Sequence, residues 1–475
     1  MSVKHPFQEI LVSKDETLLF AAAKSSIFSY KIDIQTQSVK LLGSWSDDVS
    51  PFYTLEKQRE AKISKIEAET ETNGEAEAEA EVENKIDSEV EKETSEQSET
   101  LQNEESELSE QPKKLQKTNK KKKKKLPKLP TPGAGAPPLY NYIRGIYFSR
   151  NEKYLLALTD NDKAVIVFEI SPETGLTFIK RQTLAKRPCT LSTSIDDQDI
   201  VVGDKFGDVY SLSLADKTVE EDVSKIEPIL GHVSMLTVVS VIKRNNKSYV
   251  ISADRDEHIR ISNYPKSYVI DKWLFGHKQF VSAVVAPEWL NDEILISGGG
   301  DKFLCSWNWT KPRGSEMLQK FEIHDMITKY LTDEHLTVER FQNEAGDLRE
   351  YAVSQILCVP ESKKILVFVE NIRAFFIFNL SDEGILSLSQ TVELESSIIY
   401  ATNTLNGDIF LSLKNDKPES SVAILRENGE SKLYELFDSS AISKALVDAN
   451  TVIVESEKDI IPLFNVAQLK KRSEH

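Results

Sequence analysis

Residues 231–277 begin and end on a Gly-His pair, Gly231-His232 and Gly276-His277, set 45 residues apart. Between the pairs lie short apolar runs, Met235–Ile242, Tyr249–Ser252, Ile259–Ile261 and Ser267–Trp273, separated by Lys/Arg/Asn, Asp and Pro turns. This is the period and strand count of one blade of a WD-repeat β-propeller. One four-stranded blade cannot bury both of its faces, so the stretch demands neighbours.

The neighbours are countable. Turns at Asp160, Asp204, Asp254 and Gly299 are spaced by 44, 50 and 45 residues, and each is followed by a β-branched or aromatic run. Residues 1–50 read as a first blade, with strands over Phe7–Val12, Leu18–Ala23 and Ile27–Ile32. Residues 139–320 hold blades 2 to 5. The period then lapses over 321–349, where Ile323, Met326, Ile327, Tyr330 and Leu331 recur at helical spacing. That segment is read as a helical insertion, either packed on the propeller rim or offered as a ridge to a partner helix. Residues 350–465 supply blades 6 and 7 and the ring closure, with Val447–Pro462 contributing strands, and 466–475 form a tail. The fold class is therefore all-β, a seven-bladed propeller.

Residues 51–138 interrupt it. Glu67–Glu110 carries 18 acidic residues against Lys85 and Lys92, so it holds most of the chain's net charge of −17. It is followed by the run Lys120, Lys121, Lys122, Lys123, Lys124, Lys125 and then by a Pro/Gly-rich stretch. Such a composition cannot bury enough surface to offset its ordering entropy, and a disordered insert between blades 1 and 2 is expected. The six lysines read as a nuclear-localisation signal, with RNA contact or simple solvation as the alternatives. The protein is then expected in the nucleus, and in the cytoplasm as well.

The residues that could carry chemistry are few. Cys189, Cys305 and Cys358 are scattered without metal spacing and read as reduced core residues of an intracellular protein. No apolar stretch reaches a membrane span. His232 and His277 are expected to bond the turn aspartates Asp256 and Asp301 and so fix blade geometry. No histidine belongs to a metal-spaced cluster, and Gly133-Ala134-Gly135 lacks the strand, helix and Gly-Lys-Ser/Thr of a phosphate loop. No active site, metal or cofactor is predicted. Lys163, Lys205, Arg255 and Lys302 flank equivalent turns, which would set a basic arc on one face. Arg260 alternates with Ile259 and Ile261 and so points away from them. Burial there calls for a partner, on the next blade or across an interface.

Several runs go beyond what a blade needs: Gly231-His232-Val233-Ser234-Met235-Leu236, Asp254-Arg255-Asp256-Glu257-His258-Ile259-Arg260, Trp273-Leu274-Phe275-Gly276-His277, Ala185-Lys186-Arg187-Pro188, Asp204-Lys205-Phe206-Gly207-Asp208 and Trp45-Ser46-Asp47-Asp48. In these the chain resembles the non-catalytic WD-repeat subunit of the tRNA (guanine-N7)-methyltransferase, in its fungal form. The resemblance implies a scaffold that binds and stabilises a catalytic subunit in a heterodimer. That partner carries S-adenosylmethionine and forms 7-methylguanosine in the tRNA variable loop, so tRNA is met indirectly or by minor contact. The resemblance makes Arg260 the lead partner-binding residue, through an acidic group of the partner, with Arg255 and Lys205 as neighbours. The competing reading is a generic WD-repeat interaction hub, a substrate receptor or a chromatin-associated scaffold.

Overall fold

The computed structural model describes residues 2–50, 56, 60, 141–415 and 417–471. Seven four-stranded antiparallel sheets follow one another in sequence, over residues 9–46, 143–183, 188–231, 236–274, 281–322, 353–393 and 398–437, here blades 1 to 7. Every blade uses four consecutive strands, so no blade is shared between the two chain ends. The insert at 51–138 and its lysine run lie outside the described residues.

The core is seven separate apolar seams, one between each pair of neighbouring blades. This follows from the sequence pattern: second strands such as Leu18–Ala23 and Ile294–Gly299 are buried at every position, because both faces of a blade meet a neighbour. The seam between blades 3 and 4 has the fewest buried residues, Val201, Val209, Leu230, Leu236, Val239, Val241 and Val250. In six blades the innermost strand breaks register after its first residue. Such bulges re-aim a side chain. Thr237 and Ser282 use this to bond the Val281 and Val353 carbonyls of the following blade.

Ring closure differs from the sequence expectation. Blade 7 is completed by Tyr434–Phe437, and Val447–Pro462 adds no strand to it. Instead the helix Ser440–Ala449 places Ile442 and Leu446 against Phe28, Tyr30 and Ile32 of blade 1 and Phe410 and Ile424 of blade 7. Val3–Lys4 then pairs with Ile453–Val454. The insertion helix His324–Thr328 buries Ile323 and Ile327, with Met326, Tyr330 and Leu331 packed against the same seam. Its apolar stripe faces its own rim and is not a ridge for a partner helix.

His5 locks the closure. It is 1% exposed, its Nδ1 donates to the Pro6 carbonyl at 2.7 Å, and its Nε2 accepts the Ile461 amide at 3.3 Å. The ring must be neutral to accept that amide, and burial lowers its pKa from 6.5 to about 4. Above pH 6.5 the site contributes its full stability. Below it the unfolded chain takes up a proton that the folded site refuses, so stability falls by about 3 kcal/mol on going to pH 4. Urea unfolding of the parent and of His5→Gln should show this: the parent loses stability between pH 6.5 and 4, and the variant is flatter over the same window.

Candidate partner-docking surface on blades 3 and 4

The two Gly-His pairs of the opening stretch anchor matching networks. In blade 5, His277 Nδ1 donates to Asp301 at 2.8 Å, and its Nε2 lies 2.7 Å from the Ser297 hydroxyl, which accepts Trp307 Nε1 at 2.8 Å. Trp307 donates to the serine oxygen, so the serine proton is free to go to His277 Nε2. In blade 4, His232 meets Asp254 at 2.8 Å and Ser252 at 2.8 Å. The aspartate is Asp254, not Asp256. Ser252 pairs across the sheet with Arg260 and Ser297 with Cys305, so Asp254 occupies the place of Gly299. The Asp254 carboxylate also accepts the Asp256 and His258 amides at 2.8 and 3.1 Å, which fixes it over the turn. Asp256 is half-buried and pairs with Lys471 at 2.6 Å. Asp254→Asn should therefore cost about 2–3 kcal/mol in thermal unfolding, as a buried carboxylate with several donors, and Asp256→Asn less than about 1.

The same alignment explains Arg260. Where blade 5 has Trp307, blade 4 has Ser262, and the Arg260 guanidinium bonds that serine. Arg260 Nε donates to Ser262 Oγ at 2.8 Å, Nη1 to the Gly231 carbonyl at 3.1 Å and Nη2 to the Ser267 carbonyl at 2.9 Å. Its charge lies 5.7 Å from the centre of the Trp273 ring. The side chain is 6% exposed, and desolvation pulls its pKa below the usual arginine range. Of the two partners left open for it, an acidic residue on the next blade is not what holds it: the acceptors are a hydroxyl and two backbone carbonyls.

Around this buried charge the surface is unusually apolar. Val233 is 99% exposed, Phe275 58% and Phe206 57%. The Phe206-Gly207 turn packs on the His232–Ser234 loop, where a Cβ on Gly207 would meet the His232 carbonyl at 2.4 Å. Trp273 stacks on Phe275 at 6.4 Å, and His258 sets its edge against both. Tyr268, Val269 and Ile270 are also exposed, at and just before the start of the outermost strand of blade 4, with Asp271 and Lys272 between them and Trp273. Exposed apolar side chains grouped on adjoining turns in this way mark an interaction site. Lys186 covers the Phe206 ring at 4.3 Å and Lys205 lies 5.9 Å from it. Desolvation, Lys186 and Lys205 all lower the pKa of the Lys163 amine, so the three form one basic rim. Arg255 is not part of an open arc, because its Nε donates to the Leu469 carbonyl at 2.6 Å.

Among the described residues no group of His, Cys, Asp and Glu could hold a metal ion, and no helix is long and apolar enough to cross a membrane. Cys305 is buried, Cys189 and Cys358 are half-buried, and all three are free thiols.

A family profile described as the tRNA methyltransferase TRM82 WD40 domain matches residues 19–227 and 215–437. The chain belongs to this family. A Debaryomyces hansenii relative, described as the tRNA (guanine-N(7)-)-methyltransferase non-catalytic subunit TRM82, is 40% identical over the whole of both chains. Relatives with the same description in Kluyveromyces lactis and Saccharomyces cerevisiae are 37% and 34% identical, over 99% and 100% of each chain. Like these TRM82 subunits, the protein is non-catalytic. Among solved structures, the WD40 repeats of RRP9 align with 12% identity and a TM-score of 0.50 over 87% of this chain and 89% of that one, and U3-55K gives the same values over 87% and 90%. At that identity the likeness is to the propeller fold alone. The sequence signal for the apolar patch was present in Val233, Phe206 and Phe275, which no blade requires on its surface.

Proposed function

We propose that this chain binds and stabilises the catalytic subunit of a tRNA (guanine-N7)-methyltransferase as one half of a heterodimer, and that 7-methylguanosine formation in tRNA depends on it. The observation that carries the reading is the Arg260 charge, held by a hydroxyl and two backbone carbonyls, with no carboxylate among the described residues, beside exposed aromatic side chains on blades 3 and 4. An acidic group brought by a partner would neutralise that charge while its apolar surface covered Val233, Trp273 and Phe275. Burying aromatic anchors beside a desolvated Arg is how a few residues come to dominate an interface. The basic rim of Lys163, Lys186 and Lys205 would steer an acidic partner surface and shorten the search. S-adenosylmethionine belongs to the partner, and tRNA is reached through it.

The test is the double substitution Val233→Asp with Phe275→Ser. Both side chains are exposed, so the propeller stays folded by circular dichroism, while affinity for the catalytic subunit falls at least about 30-fold. Unchanged affinity in the folded variant would remove the patch from the interface. We assign the Lys120–Lys125 run to nuclear import. A fluorescent fusion with these lysines changed to glutamine should lose its nuclear enrichment, and an unaltered distribution would dismiss that assignment.

A further inference from the structure

The chain's last described residues lie across the turn face of the propeller. Past Ile461, Phe464 sits 5.8 Å from the Lys414 amine, on the turn joining the second and third strands of blade 7. The Val466 and Ala467 amides then donate to the Glu370 carboxylate at 2.6 and 2.7 Å, on the matching turn of blade 6. Lys470 pairs with Glu350 at 3.5 Å. At blade 4 the Leu469 carbonyl accepts Arg255 Nε at 2.6 Å and Lys471 meets Asp256 at 2.6 Å. One strap thus touches the turns of blades 7, 6 and 4.

Two features separate this strap from the ring closure upstream of it. Glu370 is 7% exposed and both amides it accepts belong to the strap, so the fold carries a buried carboxylate directed at this segment. Yet no residue from Pro462 to Lys471 is itself buried. The strap is held by hydrogen bonds and ion pairs, which weaken with salt, and its release opens no apolar seam. A segment of that kind belongs to the low-stability end of a structure.

Its last contacts fall on the turn that carries Asp254, Arg255, Asp256 and His258, at the edge of the patch assigned above to the catalytic subunit. We propose that residues 462–471 form a releasable strap that competes with the catalytic subunit for Arg255 and Asp256, so that docking and strap release are coupled. This rests on the docking reading. A partner carboxylate that reaches Arg255 must displace the Leu469 carbonyl, and a partner cation at Asp256 must displace Lys471. Because strap and partner compete, weakening the strap strengthens docking, up to the factor by which the closed strap reduces the binding-competent fraction.

The experiment uses the full chain and its Lys471→Glu and Glu370→Ala variants, with purified catalytic subunit, in a binding titration and in amide hydrogen exchange. Lys471 is 58% exposed at its side chain, so its substitution leaves the fold unaltered even if Glu370→Ala does not. Lys471→Glu should bind about threefold to fivefold more tightly, the scale of one exposed ion pair. The Val466–Leu469 amides should exchange faster in the complex than in the free chain. Binding by the parent with equal or weaker binding by Lys471→Glu, or strap amides as protected in the complex as outside it, overturns the strap and leaves the docking reading standing. Failure of every chain to bind overturns both.

Discussion

Arg260→Leu is expected to lower the unfolding free energy by about 3 kcal/mol, read from the urea midpoint at pH 7. Two terms of opposite sign compete at this site. Removing the guanidinium relieves a desolvated charge that no carboxylate among the described residues balances, which favours the variant. It also leaves the buried Ser267 carbonyl and Ser262 hydroxyl without their donor, at roughly 1–3 kcal/mol for each, and the Gly231 carbonyl, on an exposed residue, at less. Three lost acceptors outweigh one relieved charge, so the net effect is destabilising. Arg260→Lys keeps the charge but cannot reach three acceptors from one ammonium, and should lose about half as much. A leucine variant as stable as the parent would mean that the charge, and not the hydrogen bonds, dominates the site. Loss of affinity for the catalytic subunit should exceed tenfold in the leucine variant and be smaller in the lysine variant, because only the latter can still meet a carboxylate.

Gly299→Ala should cost still more, about 3–5 kcal/mol, and is expected to yield little folded protein at 37 °C. A Cβ at this position would lie 1.9 Å from the Phe280 carbonyl oxygen and 2.9 Å from Val281 Cα, both backbone atoms at the start of the facing strand. Backbone cannot turn aside as a flexible side chain can, so the innermost strand of blade 5 would have to move and take its seams with it. Gly314→Ala is the control. Gly314 has φ +87° with nothing within 4 Å of an added Cβ, so its cost is the left-handed backbone alone, about 1 kcal/mol. Differential scanning calorimetry of the two variants separates packing from backbone strain, and similar melting temperatures would refute the distinction.

Blade spacing made the architecture readable, because each turn punctuates an apolar run and the four turns at 160, 204, 254 and 299 keep step. The same regularity misassigned one residue. A strict 45-residue offset aligns Asp256 with Asp301, yet the His232 partner is Asp254, at the place where blade 5 has Gly299. The choice depends on which carboxylate also caps the turn, and the offset does not carry that. Arg260 was correctly placed off the Ile259 and Ile261 face, but two of its acceptors are backbone carbonyls, which leave no mark in a sequence. The readable clue was Ser262 in the position of Trp307. The helix Ser440–Ala449 also had a signal, in Ile442, Ala445, Leu446 and Ala449 at helical spacing, which the β-rich surroundings hid. The strap had none, since its hold consists of amides and lysines that read as an ordinary tail.

The scaffold account stands or falls on co-expression of this chain with the catalytic tRNA (guanine-N7)-methyltransferase subunit, followed by size-exclusion chromatography and a tRNA methylation assay with and without this chain. The account predicts a one-to-one complex, a catalytic subunit that is less abundant when expressed alone, and 7-methylguanosine formation that requires both chains. A catalytic subunit that elutes separately and methylates tRNA equally well without this protein would contradict it.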